Sequence, residues 1–378
     1  MIPLPAELLD YILEQTARIQ QIPAPTFNEQ QRANYMRDEM LKIGLDEVFQ
    51  DEMGNVFGCW RGGEAPPLIL SAHLDSVHPA DLPLPIETTT GKIRGPGAAD
   101  NALGLAALLT IAKCVVLNRQ RFPGAVWFVG DVCEEGLGNL AGMKAVVDRF
   151  GDAVQGYLVL EGLGLGQVCH RGLGVARYRI SAHCEGGHAW VNQGEPSAIH
   201  ELAAVIHTLA EIILPQKPRC SLNVGIVHGG TSINTIAADA YCEIDLRSEG
   251  QTALNRLVQR VRRVVTARER KGVHFEMKLI GERPAGGIRP SHPLVKLGLE
   301  CLAELQVPAM LEIGSTDANI PLSRGIPAVC LGISRGGLPH TVNEFIEIPP
   351  IRLGLQQVLL MIERIWQKNG NKRDRKSV

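Results

Sequence analysis

The sequence predicts an α/β fold in which a mixed, mainly parallel sheet is flanked by helices and a smaller α+β domain is inserted. Short, near-continuous apolar runs alternate with helical segments, as expected for strands buried on both faces of a sheet. The middle of the chain changes to the order strand, helix, two strands, helix and strand, which is typical of a two-layer unit. With 378 residues, 45% of them hydrophobic, the chain is long enough for two domains.

The first segment is predicted to form helix, turn and helix. Thr26 to Glu29 has the spacing of a capping box, and an amphipathic stretch follows it to about Ile43. The strand candidates of the larger domain are Leu68 to Ser71, Ala125 to Val129, Gly156 to Leu160 and Ala328 to Leu331. The helix between the first two of them, Ala102 to Val116, is almost wholly apolar, so we expect it to lie deep in the core.

The inserted domain is predicted to span residues 176–284, leaving 1–175 and 285–378 for the larger domain. Its strand candidates are Ala176 to Ala182, Leu222 to Val227, Ala238 to Leu246 and His274 to Ile280, and its helix candidates are Ser197 to Ile213 and Thr252 to Arg268. This arrangement indicates four strands in one layer and two helices in the other.

Composition excludes several classes of protein. A net charge of -2 shows no bias towards nucleic acid or an anionic membrane. No apolar run of membrane-spanning length appears, and the N-terminus lacks the basic start and apolar stretch of a signal peptide. The nine cysteines are odd in number and never form a Cys-x-x-Cys pair, which fits reduced thiols. We therefore expect a cytoplasmic protein, with a frayed polar tail at residues 368–378.

Polar residues cluster where the buried strands are predicted to end. In open α/β sheets, ligands bind just beyond the carboxyl ends of the strands. Five segments bring His, Asp or Glu to that rim: His73-Leu74-Asp75, Asp100 at the start of the apolar helix, Glu134-Glu135, Glu161 and His340. Chance placement of one such residue is common, but chance placement of all five is not.

Glu134 and Glu135 are adjacent carboxylates after a buried strand. Such carboxylates repel each other and are costly to desolvate. By themselves they fit two solvated loop residues, but a metal ion beside them would make the arrangement favourable, with one carboxylate binding the metal and the other handling protons. The wider set mixes imidazole and carboxylate without thiolate, which favours zinc and also admits cobalt or manganese. It offers more ligands than one zinc needs, so two metals sharing one carboxylate account for the number.

Taken together, His73-Leu74-Asp75, Asp100, Glu134-Glu135, Glu161 and His340 resemble the M20 family of metallopeptidases and amidohydrolases. That family includes carboxypeptidase G2, peptidase T, acetylornithine deacetylase, succinyl-diaminopimelate desuccinylase and aminoacylase. The resemblance implies a zinc-peptidase-like catalytic domain and an inserted ferredoxin-like lid, through which the protein would form a homodimer.

The resemblance also implies roles for the rim residues. His73 and Glu161 would hold one metal, Glu135 and His340 the other, and Asp100 would bridge both. Glu134 would be the general base for attack by a metal-bridged hydroxide, and Asp75 would orient His73. In the family the peptide bond after the bridging Asp is often cis, so the bond between Asp100 and Asn101 is expected to be cis.

The same resemblance extends to the substrate side. His188, in Gly186-Gly187-His188-Ala189, would stabilise the oxyanion, either in its own subunit or in a partner. Asn234 would contact substrate, although Ala237 stands where the family usually has Pro. Arg283 would bind a substrate carboxylate. Gly314 and Ser315 would line the pocket. Asp317, in the same segment, is as well explained by bonds to its own loop.

The function implied is hydrolysis of an amide bond in a small molecule or short peptide. At position 161 the family's amino-acid deacylases often have Glu, as here, whereas many of its peptidases have Asp. The segment Gly314 to Asn319, by contrast, resembles the peptidase T-like members. Deacylase and exopeptidase therefore both stay open, as does recognition of a free amine or a free carboxylate. The alternative is a non-catalytic relative that keeps the fold for binding or dimerisation. Such a protein is expected to lose ligands or the base, and every one is present here.

Overall fold

A computed structural model describes residues 2–367 of the chain, so the predicted tail at 368–378 lies outside the described residues. The chain divides into two compact units, one made of the residues up to Gly172 and from Gly287 onward, the other of Leu173–Gly286. The first is called the larger unit and the second the smaller unit.

The helices are, in chain order, α1 (Glu7–Gln20), α2 (Gln30–Ile43), α3 (Leu103–Leu117), α4 (Ala141–Phe150), α5 (Ala198–Ala210), α6 (Gln251–Thr266), α7 (Pro293–Glu304), α8 (Asn319–Ser323) and α9 (Ile351–Arg364). The predicted apolar helix corresponds to α3. The prediction that no apolar stretch reaches membrane-spanning length is wrong for Ala98–Leu117, which is long and apolar enough to cross a membrane, but most of this stretch is buried inside the protein, where it forms a core helix.

The strands are, in chain order, β1 (Glu47–Gln50), β2 (Val56–Trp60), β3 (Ala65–His73), β4 (Glu87–Thr88), β5 (Lys92–Arg94), β6 (Gly124–Asp131), β7 (Gly156–Leu163), β8 (Gln167–Gly172), β9 (Gly174–Cys184), β10 (Gly187–His188), β11 (Cys220–Gly229), β12 (Thr235–Ile236), β13 (Asp239–Ser248), β14 (Val273–Arg283), β15 (Gly286–Gly287), β16 (Met310–Gly314), β17 (Ala328–Ser334), β18 (Gly336–Gly337) and β19 (Phe345–Glu347). Each predicted strand lies within one of these elements, except that the strand predicted from Ala238 begins one residue later, at Asp239.

The main sheet of the larger unit has the strand order β1-β2-β6-β3-β7-β17-β8, with β16 beside β8. Its centre is parallel, because β6, β3, β7 and β17 all run in one direction. Antiparallel pairing of β2 with β6 and of β8 with β17 makes the sheet mixed. The predicted α/β class and mixed, mainly parallel sheet are confirmed.

Both faces of this sheet are buried, which explains the continuous apolar runs. Leu68 and Leu70 pack with α3 in one core cluster, whereas the intervening Ile69 packs with α4 and α8 in another. Successive side chains of a strand point to opposite faces, so each strand must be apolar at every position. The carboxyl ends of the central parallel strands consequently meet at one rim.

The smaller unit is a four-stranded antiparallel sheet in the order β11-β13-β9-β14. Helices α5 and α6 cover one face and share a core cluster with inward residues such as Ile180, Ile244 and Phe275. Strand β11 is an edge strand and is mostly exposed, with Ile226 45% and Val227 57% exposed. The residue boundary of 176 proposed from sequence falls inside β9, which begins at Gly174.

The predicted capping box at the start of α2 is wrong. Helix α2 begins at Gln30 and its N-cap residue is Glu29, with no side-chain cap hydrogen bond. The Thr26 hydroxyl donates to Asp75 instead, and Glu29 accepts from the backbone N–H of Phe27 and of Cys133. Thr26 and Glu29 therefore bond to Asp75 and Cys133, which are distant in the sequence, instead of capping α2.

Candidate metal centre

The rim residues come from five places in the larger unit. His73 is the last residue of β3, Asp100 lies in the turn before α3, and Glu161 lies near the end of β7. The pair Glu134-Glu135 follows β6, and His340 follows β17 and β18. Three groups have ligand atoms within 4.8 Å of one another: His73, Asp100 and Glu161; His73, Glu134 and Glu135; Asp100, Glu135 and His340.

Asp100 lies between two imidazoles and gives each a different oxygen. Its Oδ1 is 2.9 Å from His73 Nε2, and its Oδ2 is 2.9 Å from His340 Nε2. Glu161 Oε2 lies 3.7 Å from His73 Nε2, and Glu135 Oε1 lies 3.4 Å from His340 Nε2. The structure therefore forms two groups of ligands that share Asp100.

The turn carrying Asp100 is fixed to strand β7. The Asp100–Asn101 peptide bond is cis, as expected, and Gly97 precedes the turn with φ 72°. Asn101 is fully buried; its Nδ2 donates to Leu160 O at 2.9 Å and its Oδ1 accepts from Gly162 N at 3.1 Å. Asn101 thus binds the backbone on both sides of Glu161 and ties the turn that carries Asp100 to the strand that carries Glu161.

A fully buried carboxylate, Glu344, lies behind Asp100 and His340. Its Oε1 accepts from Ala99 N at 2.6 Å and Asp100 N at 2.8 Å, and its Oε2 accepts from His340 N at 3.2 Å. Burial raises the pKa of Glu344 to about 7. One side chain therefore fixes the backbone of two predicted ligands.

The turn after β6 brings both adjacent glutamates to one place. Strand β6 ends at Asp131, Cys133 has a φ of 61° and Gly136 a φ of 54°. The backbone N–H of Glu134 donates to Asp75 Oδ1 at 2.9 Å, and that of Glu135 donates to Asp75 Oδ2 at 2.8 Å. A strand alone would direct them to opposite faces, and this turn removes that alternation.

Asp75 also contacts the imidazole of His73. His73 Nδ1 lies 3.1 Å from the carbonyl oxygen of Asp75 and 3.4 Å from its Oδ1. A proton on Nδ1 satisfies these acceptors and leaves the lone pair of Nε2 directed at Asp100 and Glu161, the tautomer a metal ligand needs. The structure thus places Asp75 where the proposed orienting role requires it.

The electrostatics of the centre favour added positive charge. Burial opposes protonation of His73, but hydrogen bonds with Asp100, Asp75 and Glu161 outweigh it and hold the pKa of His73 well above its ordinary value. Hydrogen bonds to Asp100 and Glu135 raise the pKa of His340 to about 10. Burial raises the pKa of Glu161. Protons on imidazoles balance the converging carboxylates, which is the charge that divalent cations would supply.

This donor set fits divalent metals. Two imidazole nitrogens and three carboxylates, one with both oxygens in use, suit zinc and admit cobalt or manganese. Glu134 lies within the same cluster but adds a carboxylate beyond those needed for two sites that share Asp100. The side chains could therefore hold two cations that share Asp100, with one additional carboxylate beside them.

The smaller unit brings His188 and Asn234 together. Strands β10 and β12 pair, with His188 opposite Thr235, and Ala189 N donates to Asn234 O at 2.9 Å. His188 Nδ1 accepts from Trp190 N at 3.2 Å, so Nε2 carries the proton and is the ring's donor. His188 is exposed, as expected of a residue that meets a ligand.

The remaining predicted residues differ in exposure. Arg283 ends β14 and is buried within the protein, and its substrate role stays a prediction. Gly314 and Ser315 are half-buried. Asp317 is fully buried, and burial together with the nearby Asp131 carboxyl raises its pKa well above the ordinary value. Asp317 therefore belongs to the interior rather than to a substrate surface.

Sequence reasoning missed the residues that hold the ligands in place. Glu344 follows His340 by four residues in a loop without periodicity, and that His-x-x-x-Glu spacing is the one signal for it. Thr26 and Glu29 were predicted only as a local helix cap, because their spacing fits one. Arg32 is buried with its guanidinium on backbone carbonyls, and a lone Arg in a helix offers no such signal.

Comparison with known proteins agrees with this geometry. The family model described as Peptidase family M20/M25/M40 matches residues 69–364. The chain is 26% identical over 344 residues to a succinyl-diaminopimelate desuccinylase from Corynebacterium glutamicum, covering 87% of this chain and 90% of that one.

Two solved structures share the fold. A tripeptidase from Staphylococcus aureus superposes with a TM-score of 0.82 at 23% identity, covering 95% of this chain and 99% of that one. A dinuclear metal-binding peptidase of the M20 family from Bacillus subtilis superposes with a TM-score of 0.72 at 17% identity, covering 96% and 99%.

Proposed function

The chain belongs to the peptidase family M20/M25/M40, and from this premise we propose that it hydrolyses an amide bond in a small substrate with two divalent metal ions. It is a metal-dependent hydrolase by family. We assign His73 and Glu161 to one metal, Glu135 and His340 to the other, and Asp100 to both. Zinc suits this donor set best.

The observation that carries the proposal is the use of both Asp100 oxygens. Each oxygen lies 2.9 Å from the Nε2 atom of a different histidine. A carboxylate that served one cation would not need an imidazole on either side. The arrangement therefore supports two sites with a common ligand.

The protein's own groups then have separate tasks. Bound divalent cations supply Lewis acidity to the carbonyl oxygen and make a water molecule a stronger acid. Glu134 accepts the proton of the attacking water and later gives it to the leaving amine. Asp75 holds the backbone of Glu134, and with it the starting position of that carboxylate. The proton on His188 Nε2 is the donor we assign to the oxyanion, in the same subunit or in a partner.

Two substrate classes fit, and the first is the N-acyl amino acids. Glu161 and the relative named succinyl-diaminopimelate desuccinylase support a deacylase. Di- and tripeptides are the second class, supported by the segment Gly314 to Asn319. Both are small amides, and we propose a cytoplasmic homodimer that acts on one of them.

The discriminating experiment loads the protein with zinc or cobalt and assays N-acetyl amino acids, N-succinyl amino acids, dipeptides and tripeptides in one panel. Turnover of acylated amino acids alone would identify a deacylase, and turnover of peptides alone an exopeptidase. Absence of turnover on every amide by a protein that holds two metals per chain would refute hydrolysis and favour the non-catalytic alternative.

Glu134→Ala is the matched variant for that panel. It removes the proposed base and leaves the five proposed ligands, so turnover should be lost while metal content stays near two per chain. Retained turnover with loss of metal would show that the roles of Glu134 and Glu135 are misassigned.

A further inference from the structure

The turn before α2 and the first turn of that helix direct three polar side chains at the backbone behind the proposed metal centre. Thr26, Glu29 and Arg32 come from the N-terminal segment, before the region matched by the family model, which begins at residue 69. Glu29 is 6% exposed and Arg32 is 2% exposed. Burying charged groups is costly unless each is well hydrogen-bonded, so their partners indicate what they are for.

Glu29 holds the residue immediately before the proposed base. Its Oε1 accepts from Cys133 N at 3.1 Å and from Phe27 N at 3.0 Å. Cys133 has a φ of 61°, a conformation that L residues other than Asn and Asp seldom adopt. The left-handed turn that aims Glu134 and Glu135 at the same site is thus anchored by a buried carboxylate from elsewhere in the chain.

Thr26 reaches the same turn through Asp75. Its hydroxyl donates to Asp75 Oδ2 at 2.8 Å, and that oxygen also accepts from Glu135 N at 2.8 Å. Backbone pairing joins the two segments as well, because Ser76 N donates to Ala24 O at 2.9 Å. Thr26 therefore restrains the carboxylate that holds the backbone of both glutamates.

Arg32 fixes the other side of Asp75. Its Nη1 donates to Leu74 O at 2.7 Å, and its Nη2 donates to Ile22 O at 2.7 Å. Leu74 lies between His73 and Asp75, so the guanidinium ties the metal-ligand segment to the start of the turn. Desolvation lowers the pKa of Arg32 to about 10, and the group remains charged at neutral pH.

We propose that Thr26, Glu29 and Arg32 are positioning residues of the hydrolytic site. They act through Cys133 and Asp75 on the position of the Glu134 carboxylate. None of them touches the reacting atoms. The inference rests on the proposed function for its kinetic consequence, while its structural consequence, a rigid turn at 132–135, is independent of the reaction.

The kinetic prediction is a loss of kcat with little change in KM. Glu29→Ala removes the acceptor of Cys133 N and frees the turn, and misplacement of a catalytic group by about 1 Å can cost roughly 100-fold in rate. We expect kcat to fall about 10- to 100-fold for Glu29→Ala. Glu29→Gln keeps one oxygen that can accept from Cys133 N and Phe27 N and replaces the other oxygen by an NH₂ group, so it should restore most of the rate.

The second readout is hydrogen–deuterium exchange of the peptide spanning residues 131–137, measured on the metal-loaded protein. Glu29→Ala should accelerate exchange there at least tenfold, Glu29→Gln should not, and peptides from α6 should be unchanged in both. Asn28→Ala is the matched control, because Asn28 is the exposed neighbour in the same turn and should leave kcat and exchange as in the unaltered protein.

Thr26→Val keeps the test decisive if Glu29→Ala does not fold. It replaces a half-buried hydroxyl by a methyl group of similar volume, and loss of its one hydrogen bond to Asp75 should lower kcat about 3- to 10-fold while lowering the melting temperature by only about a few degrees, so that the variant still folds. The proposal is overturned if Glu29→Ala or Thr26→Val leaves kcat and exchange unchanged. Equal losses in Glu29→Gln and Glu29→Ala, or an effect on KM alone, would overturn it too. If the unaltered protein cleaves no amide, the proposed hydrolytic function is refuted. The hydrogen–deuterium exchange of residues 131–137 still tests whether Thr26 and Glu29 hold that turn in place.

Discussion

Removal of the Glu344 carboxylate tests whether the metal ligands are held from behind. Glu344→Ala deletes the acceptor of three backbone N–H groups, those of Ala99, Asp100 and His340. Each hydrogen bond to a charged group contributes about 1.5–3 kcal/mol, and a buried donor left unsatisfied costs about 1–3 kcal/mol. Because the three bonds share one side chain, their effects do not add fully, and we expect the metal-free protein to lose roughly 3–6 kcal/mol of unfolding free energy.

The metal affinity of Glu344→Ala should fall as well. Groups that orient metal ligands typically contribute 10- to 100-fold to affinity, and Glu344 orients both Asp100 and His340. Glu344→Gln keeps one acceptor oxygen but presents an NH₂ donor to one set of backbone N–H groups, so an intermediate loss is expected. Asn343→Ala, on an exposed neighbour in the same loop, is the matched control.

The assay is denaturant unfolding of the chelated protein together with zinc competition against a chromophoric chelator. Stability and zinc affinity in Glu344→Ala equal to those of Asn343→Ala would refute the reasoning, since three buried N–H groups would then have lost their acceptor at no cost. A loss of stability with full zinc affinity would show that Glu344 stabilises the folded protein but does not contribute to zinc binding.

Three further predictions concern other parts of the protein. Chelation should lower the melting temperature and zinc should restore it, because zinc at 100 times Kd adds about 2.7 kcal/mol per site to the unfolding free energy; a melting temperature that does not respond to zinc would contradict this. Asp317→Asn should flatten the pH dependence of stability. Burial raises the pKa of Asp131 and Asp317, so the folded state keeps a proton that the unfolded state releases, and unfolding free energy falls as pH rises above about 4, measurable by urea titration of the metal-free protein. The proposed homodimer, if it forms through the exposed edge strand β11, predicts a monomer by light scattering for Ile226→Lys; a dimer that persists in Ile226→Lys but is lost in Leu279→Lys, on the other edge strand β14, would contradict that interface.

The sequence predicts much of this fold because both faces of the central sheet are buried. Leu68 to Leu70 must all be apolar when neighbours pack into different clusters, so the strand is visible as a continuous run. Strand β8 (Gln167–Gly172) was not predicted, because Gln167, His170 and Arg171 interrupt any apolar pattern. Its place in the sheet depends on pairing with β16 and β17, which is tertiary information.

The convergence of the proposed metal ligands at one rim was predictable for a related reason. Parallel strands end at one rim, so a His, Asp or Glu directly after each apolar run marks the same region of space. The supporting residues have no such relation to the strands. Glu29 lies about a hundred residues from Cys133, and the spacing of Thr26 and Glu29 fits a local cap as well as a distant contact. Local patterns cannot choose between two partners when only folding brings the second one near.

Asp75 shows how one carboxylate makes an adjacent pair of glutamates usable. Its Oδ1 takes the N–H of Glu134 and its Oδ2 the N–H of Glu135, so the two residues share one support. The same residue lies against His73 Nδ1, which directs Nε2 at Asp100. The proposed ligands and the proposed base therefore contact one carboxylate, and a displacement of Asp75 would move them together rather than apart. Two adjacent residues with different proposed tasks thus depend on one side chain, so replacement of Asp75 is expected to disturb both the proposed metal binding and the proposed proton transfer.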